Sequence, residues 1–363
     1  MIILLAILAS FTSGSYLFMQ QKQFGTNPKG ERLARIEKSP NYKDGAFQNL
    51  TPTPMLADGV SYFSILKDYL KKVEGREPSS NIPSVTTNLN LLDDSIPSIV
   101  WFGHSSYLIK INGKHILVDP IFSGNASPVS FTGKNYNGSN VYGVNDFPEL
   151  DAVLITHDHY DHLDYKTILK LIPKTKHFYT SLGVGAHLEY WGVPANKITE
   201  LDWWEQANID SNMSFTATPA RHFSGRKFAR GKSLWSSFVL QSSTHNLFLG
   251  GDSGYEKHFK EIGEKFGGFD IAILECGQYN TSWQNIHMMP EETAQAAIDL
   301  KAKVLMPVHN SKFTLALHAW NEPLTKVTAH SQALQLNYTT PLIGEPVLLG
   351  KHYPTQRWWE TIK

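Results

Sequence analysis

The chain has a single cysteine, Cys276, and no excess charge of either sign. One cysteine excludes an intramolecular disulfide framework and any metal site built from thiolates alone. Lys plus Arg and Asp plus Glu both number 33, so the formal net charge is zero. Nucleic-acid-binding proteins usually carry a basic patch or a high isoelectric point. We therefore expect no nucleic-acid partner, and the composition is compatible with a neutral or interfacial substrate.

Charge is also missing from the first 21 residues, which begin with the apolar run Ile2–Ala9. A helix needs about 20 apolar residues to span a bilayer, and the polar second half of this segment makes it borderline. It also matches a secretory signal poorly, because it has no positive first region. We predict that residues 1–21 form a hydrophobic anchor, with a removed signal or a buried soluble helix as alternatives. The predicted localisation is membrane-associated through this segment, at the inner membrane or after export.

Composition and the pattern of apolar residues divide the rest of the chain into two parts. Residues 22–95 are mixed polar sequence with six prolines, and an amphipathic helix is expected over Ser61–Glu74. We predict an N-terminal extension that packs on the main domain. In residues 96–363, short apolar runs alternate with helical patterns, and Asn112-Gly113 predicts a tight hairpin turn. This order predicts an α/β layered domain with ligands at the carboxyl ends of its strands.

Three histidines and an aspartate stand within six positions directly after the strand-like run Ala152–Ile155. The pattern is His-x-His-x-Asp-His, formed by His157, His159, Asp161 and His162. A protein core has no use for so many titratable groups, since each needs a buried partner or water. Imidazole and carboxylate are ligands for zinc. The motif therefore predicts a metal site, the alternative being a solvated, His-rich loop.

Further metal-capable residues follow three later strand candidates: His222, Asp252 and His309. Any one of these alone is more simply a satisfied core or surface residue. Core histidines would be scattered along strands, whereas these side chains share the same end. The joint pattern therefore predicts that they converge with the motif on one point.

These residues give the chain a resemblance to metallo-β-lactamase-fold hydrolases. Within that fold it is similar to the N-acylphosphatidylethanolamine-hydrolysing phospholipase D branch. The narrower likeness is carried by Gly103-His104-Ser105-Ser106, Val118-Asp119-Pro120-Ile121-Phe122-Ser123, Gly251-Asp252-Ser253-Gly254-Tyr255 and His287-Met288-Met289-Pro290-Glu291-Glu292. The resemblance implies an αβ/βα four-layer sandwich, in which two mixed sheets are flanked by helices, and it makes residues 96–363 the catalytic domain.

The resemblance also implies the roles of the site residues. His157, His159 and His222 would hold one zinc ion, Asp161, His162 and His309 a second, and Asp252 would bridge the two. Manganese or iron could replace zinc. Asp252, Asp161 and His287 are the predicted catalytic residues, His287 as a substrate contact or proton donor; a polar residue without a role before Pro290 is the alternative. His104 and Asp119 are expected to orient ligands or, alternatively, to form strand-end turns.

The implied activity is that of a phospholipase D-like phosphodiesterase, which attacks N-acylphosphatidylethanolamine-like lipids with a metal-bridging hydroxide. A metal-dependent lactonase or other ester hydrolase of the same fold is the alternative, and a non-catalytic metal-stabilised scaffold is a third. The expected partners are a phospholipid or another small ester, and a membrane surface. Assembly as a homodimer is left open.

Overall fold

The structure, a computed structural model, describes residues 12–71 and 73–362. After a helical stretch over residues 12–19, the helices are α1 (Gly30–Ile36), α2 (Tyr62–Tyr69), α3 (Tyr165–Leu171), α4 (Gly185–Tyr190), α5 (His258–Phe266), α6 (Pro290–Asp299) and α7 (Glu322–Ala333). The strands are β1 (Tyr42–Lys43), β2 (Ala46–Phe47), β3 (Ser98–Trp101), β4 (Tyr107–Ile111), β5 (Lys114–Val118), β6 (Leu150–Ile155), β7 (Thr175–Ser181), β8 (Ile198–Leu201), β9 (Gln206–Asp210), β10 (Met213–Thr218), β11 (Gly225–Arg226), β12 (Ala229–Arg230), β13 (Ser237–Ser242), β14 (Asn246–Leu249), β15 (Ile271–Glu275), β16 (Val304–Val308), β17 (Asn337–Tyr338) and β18 (Pro346–Leu348).

Two seven-stranded mixed sheets form the centre of the fold. The first has the order β18-β3-β4-β5-β6-β7-β8, and the second has the order β17-β16-β15-β14-β13-β10-β9. Strands β5 to β8 are parallel, as are β14 to β17. Two short hairpins, β1–β2 and β11–β12, lie outside these sheets.

The alternation of side chains along each strand explains why the sheets are covered on both faces. In β6, Ala152 and Leu154 point into the core between the two sheets, while Val153 and Ile155 point to the outer face. Helices α3 and α4 cover that outer face, and α5 and α6 cover the outer face of the second sheet. The result is a helix–sheet–sheet–helix sandwich, which confirms the predicted fold class.

The hairpin between β4 and β5 turns at Asn112 and Gly113, as the sequence predicts. Both residues have positive φ angles, 50° and 70°. Two-residue hairpin loops of this kind require positive φ at both positions, which Asn and Gly adopt at low cost. The turn pairs Tyr107 with Val118 and so leads the chain directly to Asp119.

The N-terminal extension packs on the second half of the first sheet and on the loops near it. Arg32 of α1 forms ion pairs with Glu200 at 2.6 Å and Glu189 at 2.8 Å. Phe47 is buried, and its backbone N–H donates to the carbonyl of Gly231 at 2.8 Å. The helix expected over Ser61–Glu74 begins at Tyr62 but ends at Tyr69. None of its residues is buried, so tertiary packing does little to lengthen it.

The prediction of membrane association through residues 1–21 is corrected by the structure. Over residues 12–71 and 73–362, no helix has both the length and the apolar character needed to cross a bilayer. In this segment the described helical stretch ends at residue 19, ahead of Gln20 and Gln21, and its serine and threonine side chains lower its apolar character. Residues 1–11 of the predicted anchor lie outside the described residues.

Candidate metal centre

Four strand ends bring the predicted ligands to one edge of the sandwich. His157 follows β6 of the first sheet, whereas His222, Asp252 and His309 follow β10, β14 and β16 of the second. Strands β10, β14 and β16 run in the same direction, so their carboxyl ends share one edge. The structure therefore brings together all seven side chains that the sequence predicts as ligands.

The first group consists of three imidazoles whose ring nitrogens face one another. His157 Nε2 lies 3.0 Å from His159 Nδ1, and His222 Nε2 lies 3.2 Å from the same atom. In a tetrahedral zinc site with nitrogens about 2.0–2.1 Å from the ion, neighbouring ligand atoms are roughly 3.3 Å apart. The spacing of the three nitrogens fits a shared cation.

The second group contains His104, Asp161, His162 and His309, whose ligand atoms all lie within 4.8 Å of one another. His162 Nε2 is 3.8 Å from the Asp161 carboxylate. His104, which the sequence predicts only as an orienting residue or a turn, has its Nε2 3.0 Å from that same carboxylate. The structure therefore places His104 in direct contact with a predicted ligand.

Asp252 lies between the two groups. Its carboxylate is 3.2 Å from both His162 Nε2 and His309 Nδ1, and 3.8 Å from the Nε2 atoms of His157 and His222. Burial by itself raises the pKa of Asp252, but His162 and His309 outweigh it and hold the pKa well below its usual range. This carboxylate is the one that could touch ions in both groups.

Two buried atoms support a metal at this point. Within the described ranges, His162 Nε2 and Asp252 Oδ1 make no hydrogen bond, although both side chains are buried. Buried polar atoms normally have a partner, because leaving one unpaired costs about 1–3 kcal/mol. Burial also lowers the pKa values of His157, His222 and His309 well below the usual value. Neutral imidazoles are the form that binds a metal, and the donor set fits two ions of the zinc type.

Hydrogen bonds behind the ligands orient their rings. Asp119 accepts from His162 Nδ1 at 2.8 Å, and from the backbone N–H and hydroxyl of Thr156 at 2.8 and 2.6 Å. His222 Nδ1 donates to the carbonyl of Ile286 at 2.8 Å. Such contacts select the tautomer that leaves the other ring nitrogen free for a metal.

His287 lines a cavity of about 300 Å³ above the metal centre. Its ring packs against those of His222 and His309, with centroids 5.1 and 5.4 Å apart. Behind it, Glu275 carries its carboxylate 3.3 Å from His287 Nδ1. Burial alone lowers the pKa of His287, but Glu275 outweighs burial and raises that pKa to about 9.

Sequence reasoning missed two residues that support the site. Glu275 ends β15 at the same edge as the predicted ligands, so the pattern of polar residues at strand ends contains a signal for it. Asn49 belongs to the extension and bonds to the backbone of His222. No local pattern in the sequence points to Asn49, because its partner lies 173 residues away.

Residues 114–310, more than half of the chain, match the family described as the beta-lactamase superfamily domain. The chain belongs to this family, and with the site described above it is a metal-dependent hydrolase of the beta-lactamase superfamily. Its further likeness to the N-acylphosphatidylethanolamine-hydrolysing phospholipase D branch is confirmed by a relative from Caenorhabditis elegans, named N-acyl-phosphatidylethanolamine-hydrolyzing phospholipase D 1. The two are 31% identical over 58% of this chain and 62% of the nematode protein.

Two other comparisons extend over more of the relative's length. An uncharacterised protein of Mycobacterium tuberculosis is 39% identical over 89% of this chain and 88% of its own length. The solved structure of a metallo hydrolase from Ignicoccus hospitalis aligns with a TM-score of 0.55 at 20% identity, over 69% of this chain and 97% of that one. This structural likeness shows that the chain shares the fold of that hydrolase.

Proposed function

We propose that the chain is a dinuclear zinc phosphodiesterase of the phospholipase D type, which hydrolyses N-acylphosphatidylethanolamine-like lipids. The observation that carries the proposal is the position of Asp252 between two groups of ligands, at the floor of a largely apolar cavity. When bound, the two metals would supply a water-derived nucleophile at neutral pH and Lewis-acid stabilisation of the charge on the phosphate.

The chain's own residues would hold those metals and orient the substrate. His157, His159 and His222 would hold one ion, Asp161, His162 and His309 the other, and Asp252 both, with manganese or iron as substitutes for zinc. His287 stands at the cavity wall, where its ring can hydrogen-bond to a phosphate oxygen or to the leaving oxygen.

The cavity walls favour a substrate with apolar chains. Helix α2 contributes Tyr62, Ile65 and Tyr69, and Trp283 and Leu315 also line the cavity. Apolar and aromatic lining with a few polar groups at the base is typical of small-molecule sites. The name of the nematode relative adds support for a lipid phosphodiester.

A product assay tests the proposal. Purified protein, with its metal content measured on the same sample, is incubated with N-acylphosphatidylethanolamine vesicles and, separately, with a panel of lactones. We expect release of phosphatidic acid and an N-acylethanolamine, which requires cleavage of the phosphate–ethanolamine bond. Opening of lactones without phosphatidic acid would overturn the phosphodiesterase proposal and favour a lactonase.

A further inference from the structure

Glu275 is a buried carboxylate for which the proposed metal chemistry gives no role. Glu275 is 1% exposed. It stands at the end of β15, whose other residues are apolar. Burying a carboxyl group is costly unless it is well bonded. A strand end packed against the core would be more stable with an apolar residue, so the contacts of this carboxylate need an explanation.

Those contacts all lead to the segment that carries His287. One carboxylate oxygen accepts from the backbone N–H of Met288 at 2.8 Å, and both oxygens lie 3.3 Å from His287 Nδ1. The carbonyl of Glu275 accepts from the hydroxyl of Thr293 at 3.1 Å, which ties the strand end to the start of α6. Glu275 thus holds both the backbone and the ring of this short segment.

The bond to Nδ1 determines which atom of His287 can reach a substrate. With Nδ1–H directed at Glu275, the opposite nitrogen, Nε2, is left for the cavity that the ring lines. Neighbouring rings of His222 and His309 pack against the imidazole and limit its rotation. A ring held in this way is suited to proton transfer at one defined atom.

We propose that Glu275 is a positioning residue, which holds His287 so that Nε2–H donates its proton to the leaving oxygen of the substrate. As the bond between phosphorus and that oxygen breaks, the oxygen takes the proton from Nε2. The oxygen of the attacking water forms the new bond to phosphorus and releases a proton to solvent, from which the ring regains its own. This inference rests on the proposed phosphodiesterase function.

The test measures the rates of the wild type and of Glu275→Gln on two substrates, one with an alkoxide leaving group and one with a 4-nitrophenolate leaving group. The amide keeps the shape, but it replaces one of the two oxygens near His287 Nδ1 with an NH₂ donor and removes the negative charge that favours a proton on Nδ1. An alkoxide leaving group needs a proton, whereas 4-nitrophenolate leaves without one. We expect the kcat of Glu275→Gln on N-acylphosphatidylethanolamine to fall roughly 10- to 100-fold, with less than about a threefold change on bis(4-nitrophenyl) phosphate and unchanged metal content.

Glu292→Gln is the matched control. Glu292 accepts the backbone N–H of Met289 at 2.9 Å in the next turn of chain, yet it makes no contact with the His287 ring in the described structure. We expect this variant to keep wild-type rates on both substrates. Equal losses on both substrates in Glu275→Gln, or a loss of metal, would overturn the proposal, because either result would assign Glu275 a structural role.

A second measurement separates this inference from the proposed function. In nitrogen-15 spectra of histidine-labelled protein, with the His287 signal identified by its absence in His287→Gln, we expect Nδ1 to carry a proton. An unprotonated Nδ1 would overturn the role of Glu275, whatever the substrate. Absence of any phosphodiester cleavage by the wild type would overturn the proposed function alone, and the leaving-group comparison would then use alkyl and aryl carboxylic esters.

Discussion

The side chain of Asn49 bonds to both the backbone N–H and the backbone carbonyl of His222. The side-chain amide donates to the His222 carbonyl at 2.8 Å, and its oxygen accepts from the His222 N–H at 3.1 Å. The same oxygen accepts from Trp235 Nε1 at 3.0 Å. A residue of the N-terminal extension therefore fixes the position of a predicted metal ligand, so the extension is part of the structure of the site.

Replacing Asn49 with alanine should weaken metal binding at the group formed by His157, His159 and His222. Loss of a group that orients a ligand typically costs about 10- to 100-fold in metal affinity or activity. Competition with a chromophoric zinc chelator would measure the affinity. Asn41→Ala is the control, since Asn41 is in the same extension but bonds to Asp202; equal effects of both variants would contradict a specific role for Asn49.

Replacing Asp252 with asparagine should abolish turnover and reduce the metal content. The carboxylate is the only predicted ligand placed between both groups, and an amide is a weaker ligand without charge. Metal analysis by mass spectrometry and a product assay on the same sample would measure both effects. Asp270→Asn, just before β15 and at the opposite end of that strand from Glu275, should leave both unchanged. Full activity of Asp252→Asn would refute the site assignment.

Removal of metal should lower the thermal stability of the protein as well as its activity. The buried nitrogens and carboxylates of the site would lose a shared partner, and a ligand present at 100 times its Kd stabilises the folded state by about 2.7 kcal/mol. Differential scanning fluorimetry before and after chelation, then after addition of zinc, would measure the change. An unfolding temperature that does not move on chelation would argue against metals at this site.

Lys312 should make stability depend on pH above neutrality. The side chain is fully buried and donates to the carbonyls of Phe102 at 2.9 Å and Ile121 at 3.0 Å. Burial lowers its pKa to about 7. Between that value and the pKa of about 10.4 of an unfolded lysine, the unfolded state binds more protons, so this lysine's contribution to stability rises with pH.

The comparison of wild type with Lys312→Met isolates this effect, because other titrating groups cancel in the difference. From about pH 7 to about pH 9.5, the wild type should gain on the order of 3 kcal/mol in free energy of unfolding relative to the variant. Urea denaturation at both pH values would measure it. Lys170→Met, at an exposed position of α3, should show no such change; a flat difference for Lys312→Met would contradict a lowered pKa.

Local chemistry explains why much of the site could be predicted from the sequence. The His-x-His-x-Asp-His motif lies within six residues, and apolar or alternating runs before His157, His222, Asp252 and His309 predict strands. The hairpin at Asn112-Gly113 is likewise determined by the φ angles that those two residues accept. The order of strands and helices then predicts the layered fold.

Contacts between distant segments determine the features of the fold and of the site that the sequence does not predict. Helix α2 is shorter than its amphipathic pattern suggests, because no side chain of that helix is buried. His104 contacts Asp161 because β3 and β6 lie in one sheet and run in the same direction, so the segments that follow them leave the sheet at the same edge.

The sequence alone therefore specifies which residues are able to bind metal and that they stand at strand ends, since both properties reside in single side chains and short periodic runs. It does not specify which residues support them. Asn49 and His222 are 173 residues apart, and Glu275 meets His287 through a loop that returns to the end of β15. Those pairings depend on the path of the chain between the paired residues, and only the folded structure contains that path.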